Sequence, residues 1–456
     1  MSPRTMRRRT CARRWSAAYP RARRRCCVNS STLPGSEPGG QRAARVTIWS
    51  PFTFRDYRLL WLGSAAYTIT AQMAVLVTAV WLFEETGSAA RLALLGVVQL
   101  FVQIVALVWG GTLADQFDRK RLLATVQAAT LAVLTALAIL AVTDMLTPWH
   151  IYAATAVLGV TGVVSQPARG ALTANVVPRT HLLYAVSADN ITRQVGSILA
   201  PLMFALVAER LSLTAAFVMA AATAIPSVVM PLGIRADTRP AREAGVEVTG
   251  GPREVVRRAW EGFTFVRKHG LLPGLYLLDI GMTVFTFYRQ VLPALASGLF
   301  RGGPGAVGIL TAANSLGSVL GSLTVVRFER YPKKGMLVVY ATVGFSLAVF
   351  LFGATTALWM GVAVIALMGA TDGVSVTMRE TVVQIETPDA MRGRTVSLGY
   401  LAAVTANNVG TIWVGFLAAE IGASLTMQIG GLLSLAITFG VWRGVAGLRQ
   451  YRDRTT

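Results

Sequence analysis

The sequence predicts an all-α integral membrane protein whose twelve transmembrane helices form two pseudo-symmetric bundles of six. Three observations support this fold class. Of the 456 residues, 54% are hydrophobic and only 14% are charged. The charged residues are concentrated in short stretches between apolar runs of roughly 20 residues, the length that crosses a bilayer as a helix. Landmarks in the first half of the chain also recur 210 residues later, which indicates a duplicated membrane module.

The repeat is visible in four pairs of residues: Gly111 and Gly321, Arg169 and Arg379, Pro178 and Pro388, and Ser187 and Ser397. Pseudo-symmetric halves allow a membrane protein to rock about a central site, so the repeat favours a transporter. The apolar runs lack the ten-residue alternation of a membrane β-barrel, which favours helices.

Breaks at charged stretches define the twelve predicted spans. In chain order they are Tyr57–Phe83, Leu92–Ala114, Leu122–Val142, Trp149–Gln166, Ser187–Ala208, Leu211–Ile234, Leu271–Leu299, Ala306–Val326, Met336–Gly353, Leu358–Met378, Val396–Ala419 and Ser424–Trp442. We therefore predict an N-terminal bundle at 51–234, a linker at 235–270, a C-terminal bundle at 271–446 and a short tail at 447–456.

Basic residues predict the orientation of the spans. The connections after spans 2, 4, 6, 8 and 10 contain 20 Lys and Arg residues, against three (Arg91, Arg210 and Arg301) in the alternate connections. Lys and Arg are retained on the cytoplasmic side during insertion, so both termini are predicted to be cytoplasmic. The predicted location is the inner (plasma) membrane.

The first 50 residues form an Arg-rich segment that we predict to be a disordered tail. Twelve of the 43 basic residues precede Thr47, where Glu37 is the only acid, so this segment supplies about half of the net charge of +21. This concentration argues against nucleic acid as a partner. The segment has no apolar stretch typical of a signal peptide. The alternative, that translation starts at Val46, remains open.

Cysteine and histidine usage predicts neither a metal site nor a cofactor. All three cysteines lie in the tail, and the three histidines lie in separate loops without ligand spacing. A phosphate-binding loop of the G-x-x-x-x-G-K-[ST] type is also missing from the sequence, which argues against ATP as the energy source.

The predicted linker contains the segment EVVRRAWEGFTFVRKHG at 254–270. Its apolar residues recur at helical spacing among basic ones. This pattern predicts either an amphipathic helix on the anionic inner leaflet or a plain tether between the bundles.

Charges inside the spans are functional candidates, because placing one in hydrocarbon costs about 3 kcal/mol or more. Asp279 and Arg289 lie in the seventh span and Asp372 in the tenth, whereas the positions 210 residues earlier are uncharged. We predict that Asp279 or Asp372 carries a proton, because burial favours the neutral carboxyl group. The alternative for each is a structural ion pair with Arg193 or Arg289. We expect Asp189 to pair with Arg193 one turn away.

Several polar side chains within the spans are candidates to line a substrate cavity: Arg193, Arg289, Gln72, Asn190, Asn314 and Asn407. The same residue types often join helices to each other instead, and this alternative stays open. Aromatic residues such as Trp61, Tyr67 and Phe285 are expected to pack or to anchor the helices at the interface.

The loop after the second span carries a recognisable motif. Gly111, Asp115, Arg119 and Lys120 match the G-x-x-x-D-(R/K)-x-G-R-(R/K) signature of the major facilitator superfamily, although Gln116 and Asp118 depart from it. The resemblance implies that Asp115 closes the cytoplasmic side by contacting a helix N-terminus of the other half. In the second copy Gly321 remains and Val325 replaces the aspartate.

Three further stretches resemble the branch of that superfamily which contains enterobactin exporters and macrolide efflux pumps. They are FRDYRLLWLGSA from Phe54, PARGALTANVVPRTHLLYAVS from Pro167 and VVQIETPDAMRGRTVSL from Val382. The antiporter signature of the fifth span is reduced to Gly196 and Ala200-Pro201, which weakens the case for antiport.

The resemblance implies a monomeric secondary transporter in the lipid bilayer that exports an amphipathic small molecule in exchange for protons. Two alternatives stay open at this stage. One is a lysophospholipid transporter of the same fold, and the other is a membrane scaffold or sensor that transports nothing.

Overall fold

The computed structural model of the protein describes residues 49–116, 118–236, 252–328 and 331–451. Fifteen α-helices lie in these ranges: α1 (Arg55–Thr86), α2 (Ala89–Gln116), α3 (Arg119–Val142), α4 (Pro148–Val176), α5 (Leu182–Arg210), α6 (Leu213–Leu232), α7 (Pro252–Lys268), α8 (Leu272–Thr286), α9 (Leu292–Phe300), α10 (Pro304–Thr324), α11 (Lys334–Ala354), α12 (Leu358–Glu386), α13 (Asp389–Ile421), α14 (Ala423–Gly444) and α15 (Ala446–Gln450).

Ten of the described helices are long and apolar enough to span a membrane, and two shorter apolar stretches lie at Ala89–Gln103 and Leu272–Thr286. Helices α1–α6 coincide with the first six predicted spans, α8 with α9 coincides with the seventh, and α10–α14 coincide with the last five. The predicted tail falls outside the described residues except for Trp49 and Ser50.

The seventh predicted span is wrong in one respect, because the structure divides it into two helices. The backbone between α8 and α9 is not helical at 287–291. Pro293, in the first turn of α9, explains the break: it lacks an N–H, and its ring would clash with the carbonyl of residue 289 in a continuous helix. The break leaves Arg289 on irregular backbone partway through the span.

Two other predicted spans end too early. The predicted ends at Gln166 and Met378 left Arg169 and Arg379 in connecting loops, whereas α4 continues to Val176 and α12 to Glu386. Both arginines therefore lie inside helices. The prediction failed because it ended each span shortly before an arginine, and a helix accommodates an arginine that has polar or aromatic neighbours.

The packing of the helices shows the predicted pseudo-symmetry. In the first half α1 packs on α5 and α6, α2 on α4, and α3 on α4 and α6. In the second half α8 packs on α13 and α14, α10 on α12, and α11 on α12 and α14, which are the corresponding pairs. Contacts between the halves follow the same rule, because α2 packs on α13 and α5 packs on α10.

A pair of tyrosine hydrogen bonds repeats this symmetry at the level of side chains. The hydroxyl of Tyr57 in α1 donates to the carbonyl of Ala185 at 3.0 Å, and the hydroxyl of Tyr276 in α8 donates to the carbonyl of Thr395 at 2.9 Å. The two acceptors are 210 residues apart. Each bond joins the first helix of a half to its fifth helix.

The two halves pack closely against each other at one end of the bundle. We call the end where α1 begins and α14 ends the terminal end, and the opposite end the distal end. A Cβ atom added to Gly96 of α2 would lie 2.9 Å from the carbonyl oxygen of Asn408, and one added to Gly308 of α10 would lie 2.5 Å from that of Pro201. All four residues lie in the distal halves of their helices.

Glycines also allow α10 and α12 to pack backbone against backbone within the second half. A Cβ atom added to any of four glycines would lie 1.9–2.3 Å from a carbonyl oxygen of the facing helix. The glycines are Gly317, Gly321, Gly369 and Gly373. They occur four residues apart on both helices, which is the spacing of a G-x-x-x-G packing motif.

The predicted linker helix is present as α7 and packs along the start of α13. Glu261 pairs with Arg394 at 2.6 Å, and Gly262 lies against the backbone of Arg394. The other face of α7 exposes Trp260 and Phe263, which are 68% and 42% accessible. Residues 237–251 of the predicted linker lie outside the described ranges, and membrane-surface binding by α7 stays a prediction.

Candidate functional site

The second half contains a buried ion pair between α8 and α12. An Nη2 nitrogen of Arg379 lies 2.8 Å from Oδ1 of Asp279, and both residues are less than 10% exposed. Asp279 lies seven residues after the start of α8, about 10 Å from the terminal end at 1.5 Å per residue. The alternative of a structural ion pair therefore has Arg379 as the partner, and not Arg193 or Arg289.

A second group of polar residues surrounds the break between α8 and α9. Arg289 lies in the break, and its guanidinium donates to Oδ1 of Asn314 in α10 at 3.5 Å. Asp372 of α12 is half-buried and lies within electrostatic range of both Arg289 and Arg379. No hydrogen bond or ion pair of Asp372 is found among the described residues.

These residues form a cluster of two carboxylates and two guanidiniums whose formal charges balance, and the exposed carboxylate of Glu380 also lies in electrostatic range of Asp279. Asp279 is also within electrostatic range of Asp372, so the two predicted proton carriers belong to one cluster. We call Asp279, Asp372, Arg289 and Arg379 the C-half cluster. A proton added to either carboxylate leaves one guanidinium uncompensated, and such a change is costly away from water.

The first half contains a half-buried arginine with a different environment. The guanidinium of Arg169 in α4 lies over the ring of Tyr67, 3.9 Å from its centroid. No described carboxylate lies within 4.0 Å of Arg169, although Asp189 and Arg193 are in electrostatic range. The Nε atom of Arg169 is buried and has no hydrogen-bond partner.

Asp189 does not form the expected ion pair with Arg193. Its carboxylate accepts from the hydroxyls of Tyr57 and Thr173, both at 3.3 Å, and each hydroxyl shares its proton with a backbone carbonyl. Arg193 instead donates to the side-chain oxygen of Asn190, one turn before it on α5. The spacing of four residues permits an ion pair but does not require one, and the neighbouring hydroxyls of α1 and α4 bind the carboxylate here.

Two adjoining cavities lie beside these residues. The larger has a volume of about 340 Å³ and lies among α1–α4, with Gln290 and Tyr400 contributed by the second half. The smaller has a volume of about 260 Å³ and lies between α1, α4 and α5. Gln166 lines both cavities, so they adjoin at that side chain.

The smaller cavity contains charge and the larger one does not. Arg169, Asp189 and Arg193 line the smaller cavity, which gives it a formal charge of +1. The larger cavity is lined by amide, hydroxyl and apolar groups, with Tyr67, Gln99 and Gln103 among them. The two cavities together therefore combine a cationic compartment with a compartment of mixed polar and apolar lining.

The structure brings some of the predicted cavity residues together and separates others. Arg193 lines the smaller cavity and Asn190 bonds to it, whereas Arg289 and Asn314 lie together at the helix break. Gln72 and Asn407 line neither of these two cavities.

The basic residues of the predicted gating motif stabilise the terminal end of the first half. Arg119 donates to the side chain of Asn175 at 3.2 Å, and the ammonium group of Lys120 donates to the carbonyl of Ile234 at 2.6 Å. Asp118, which replaces a glycine of the signature, caps α3 by accepting from the N–H of Lys120. The side chains of the α2 segment that contains Gly111 and Asp115 are not described, so the gating role of Asp115 stays a prediction.

Sequence reasoning missed Arg169, Arg379 and Tyr67 as site residues. A signal for the arginines was available, because both repeats keep an arginine at this position although neighbouring charges are not repeated. Gln99 and Gln103 gave a weaker signal, because two glutamines lie four residues apart within an apolar span. In the structure they form hydrogen bonds across the halves to Gln290 and Asn408, both at 2.5 Å. The role of Tyr67 had no signal in the sequence.

The fold and the site define a class of protein. Two repeat-related bundles enclose polar cavities and a buried charge cluster beside a broken helix, which is the arrangement of a secondary transporter. Sequence comparison places the chain more narrowly, because the profile of the transmembrane secretion effector family matches residues 46–444. The chain belongs to this family of major facilitator superfamily transporters.

Similar proteins agree with this assignment. The chain is 26% identical over 416 residues to "Enterobactin exporter EntS" of Shigella boydii serotype 4 (strain Sb227), covering 88% of this chain and 92% of that protein. It is 28% identical over 359 residues to the exporter of the same name from Escherichia coli (strain 55989 / EAEC), covering 76% and 82%.

Solved structures show the same fold at low sequence identity. The nucleoside transporter NupG superposes with a TM-score of 0.63 at 15% identity, covering 87% of this chain and 98% of NupG. A D-xylose-proton symporter superposes with a TM-score of 0.62 at 14% identity, covering 86% and 97%. The predicted all-α major facilitator fold is confirmed.

Proposed function

We propose that the protein is a proton-coupled exporter of an amphipathic small molecule that works by alternating access. Both termini face the cytoplasm in this proposal, so the terminal end is the cytoplasmic end. The export direction is supported by the similarity to proteins named enterobactin exporters. Proton coupling is supported by the C-half cluster, which is the observation that carries the proposal.

Asp372 is the residue we assign to proton binding. Asp279 is held by the 2.8 Å ion pair with Arg379, whereas Asp372 has no such partner among the described residues and is half-buried. A proton on Asp372 removes the negative charge that balances Arg289 at the helix break. The resulting change in electrostatic energy favours a different arrangement of α8, α9 and α12.

The contacts between the halves support a cytoplasm-facing state. At the distal end the carboxylate of Glu209 in α5 accepts from the N–H of Gly305 at the start of α10, at 3.2 Å. The glycine contacts of α2 with α13 and of α5 with α10 lie at the same end. A transporter closed at the distal end loads substrate from the terminal end, which suits an exporter in this orientation.

Vesicle experiments test the assignment of Asp372. Inverted membrane vesicles with an acid interior are given enterobactin, erythromycin or ethidium, and collapse of the pH gradient is followed. We expect at least one solute to collapse the gradient in wild-type vesicles and not in Asp372→Asn vesicles. Glu420→Gln is the control, because Glu420 is exposed near the end of α13 and, unlike Glu380 of α12, is not among the groups that act electrostatically on the cluster.

Two results would contradict the proposal. Full solute-dependent collapse with Asp372→Asn would exclude Asp372 as the proton carrier. Failure of all three solutes to act on wild-type vesicles, with the protein present in the membrane, would count against export of an amphipathic solute.

A further inference from the structure

The repeat-related arginines Arg169 and Arg379 are the starting point for an inference about the substrate. They lie in the equivalent helices of the two halves, 210 residues apart, where Arg379 is buried and Arg169 is half-buried. Arg379 has the carboxylate of Asp279 at 2.8 Å. In the first half the residue 210 positions earlier is Ile69, and counting from the paired Tyr57 and Tyr276 gives Leu60, so neither equivalent position is charged. The repeat therefore keeps the guanidinium in both halves and the compensating acid in one.

Neighbouring groups replace the missing acid at Arg169 only in part. Tyr67 offers the face of its ring, and the Asp189 carboxylate, which accepts from Tyr57 and Thr173, is in electrostatic range of Arg169 without forming an ion pair with it. Arg193 adds a second positive charge to the same cavity. A cavity with an excess positive charge inside a membrane span is costly, and a charge in such a position is a candidate binding site for a ligand of opposite charge.

The adjoining larger cavity extends this argument to the rest of the solute. It has no charged residue in its lining, and its walls combine alanine, valine and leucine side chains with glutamine amides and two tyrosines. An apolar or aromatic body with hydrogen-bonding groups fits such walls. Because the two cavities adjoin, one solute can place an acidic group at Arg169 and its body in the larger cavity.

We propose that the transported molecule is an amphipathic anion whose acidic group binds Arg169, with Arg193 assisting, and whose body occupies the larger cavity. This inference rests on the proposed export function and specifies the class of its substrate. Arg169 is the specificity-determining residue, because a cationic solute of the same shape would bring a third positive charge next to two arginines.

Three probes of matched shape test the charge preference: 2-naphthoate, 2-naphthalenemethanol and 2-naphthylmethylammonium. Binding to the purified full-length protein in detergent is measured by equilibrium dialysis without a proton gradient. We expect 2-naphthoate to bind about tenfold more tightly than the alcohol, which is the effect of one charge-assisted contact. The ammonium probe should bind more weakly than the alcohol.

Arginine variants assign the preference to the site. Arg169→Gln should bring the affinity for 2-naphthoate down to that for the alcohol. Arg193→Gln should weaken the affinity for 2-naphthoate by a few fold, and this variant should stay folded because the side chain of Arg193 is exposed. Arg210→Gln is the control, because Arg210 is an exposed arginine on the same helix as Arg193 and lies outside both cavities.

Equal binding of the three probes, preference for the ammonium probe, or no binding at all would overturn the proposal. Retention of the anion preference in both Arg169→Gln and Arg193→Gln would also overturn it. Because binding in detergent requires no proton gradient, a failure here leaves the vesicle test of Asp372 intact, and a failure of that test leaves the binding preference measurable.

Discussion

Asp279 and Arg379 illustrate how much a single buried pair influences stability. Each is less than 10% exposed, and Nη1 of Arg379 has no hydrogen-bond partner. Removing one charge from such a pair leaves the other uncompensated in a poorly solvated position, which costs more than the pair itself contributes. The pair is therefore a place where two single substitutions and the double substitution should differ in an informative way.

We predict that Asp279→Asn and Arg379→Gln each lower the free energy of unfolding by about 3–5 kcal/mol. The double variant should lose clearly less than the sum of the two, because it leaves no unpaired charge. Chemical unfolding in detergent measures all three, with Glu420→Gln as the exposed control on α13. Additive losses in the double variant would show that the two residues do not stabilise the protein through each other.

At the scale of helices, the packing of α10 on α12 depends on the absence of side chains. Gly369 lies against the backbone of Asn314, where an added Cβ would be 2.0 Å from the carbonyl oxygen. Backbone cannot move aside as a flexible side chain can, so the two helices would have to separate. Separation would also disturb Asn314, whose amide donates to the carbonyl of Ile365 at 3.4 Å and whose oxygen binds Arg289.

Gly369→Ala should therefore lower the free energy of unfolding by about 2–3 kcal/mol, the upper part of the usual range for overpacking, because backbone atoms are in the way. Gly440→Ala is the matched control, because an added Cβ at Gly440 of α14 meets nothing within 4 Å. Alanine favours helix over glycine, so the control should be neutral or slightly stabilising. Thermal unfolding in detergent compares them, and equal stability of the two variants would refute this account of the interface.

At the scale of the whole molecule, the sequence predicted the number of spans and the symmetry but not the pairing of the charges. Each apolar run indicates where one helix lies, and the repeat indicates how the helices are arranged. The spans and the symmetry could therefore be predicted from the sequence. The partner of Asp279 depends on how α8 and α12 rotate towards each other, which no run of residues encodes. The same limit hid the contact of Arg169 with Tyr67.

The helix break at 287–291 was more accessible to prediction. Pro293 lies inside an otherwise apolar run, and a proline in the middle of a predicted helix indicates a kink or a break. The prediction of one continuous span was wrong because it followed the length of the apolar run and ignored Pro293. For the glycines of α10 and α12, the spacing of four residues on both helices was the available signal.

The closed distal end leads to a prediction about movement of one half against the other. A Cβ added to Gly415 of α13 would lie 2.7 Å from the Cβ of Ala93 in α2, and these helices belong to different halves. Cβ atoms in a disulfide lie about 3.8 Å apart, so a small outward shift accommodates a bridge. The only cysteines of the chain are Cys11, Cys26 and Cys27 in the tail, and serine can replace them.

We predict that oxidation of the Ala93→Cys/Gly415→Cys variant abolishes solute export in vesicles and that a reducing agent restores it, because alternating access requires the distal end to open. The control is Gly298→Cys/Ala423→Cys, whose Cβ atoms would be 3.0 Å apart at the distal end of the second half alone. That bridge joins two helices that move together, so export should continue after oxidation. Continued export with the first bridge formed would mean that the halves do not separate here during transport, and the rocking mechanism would then have to be abandoned.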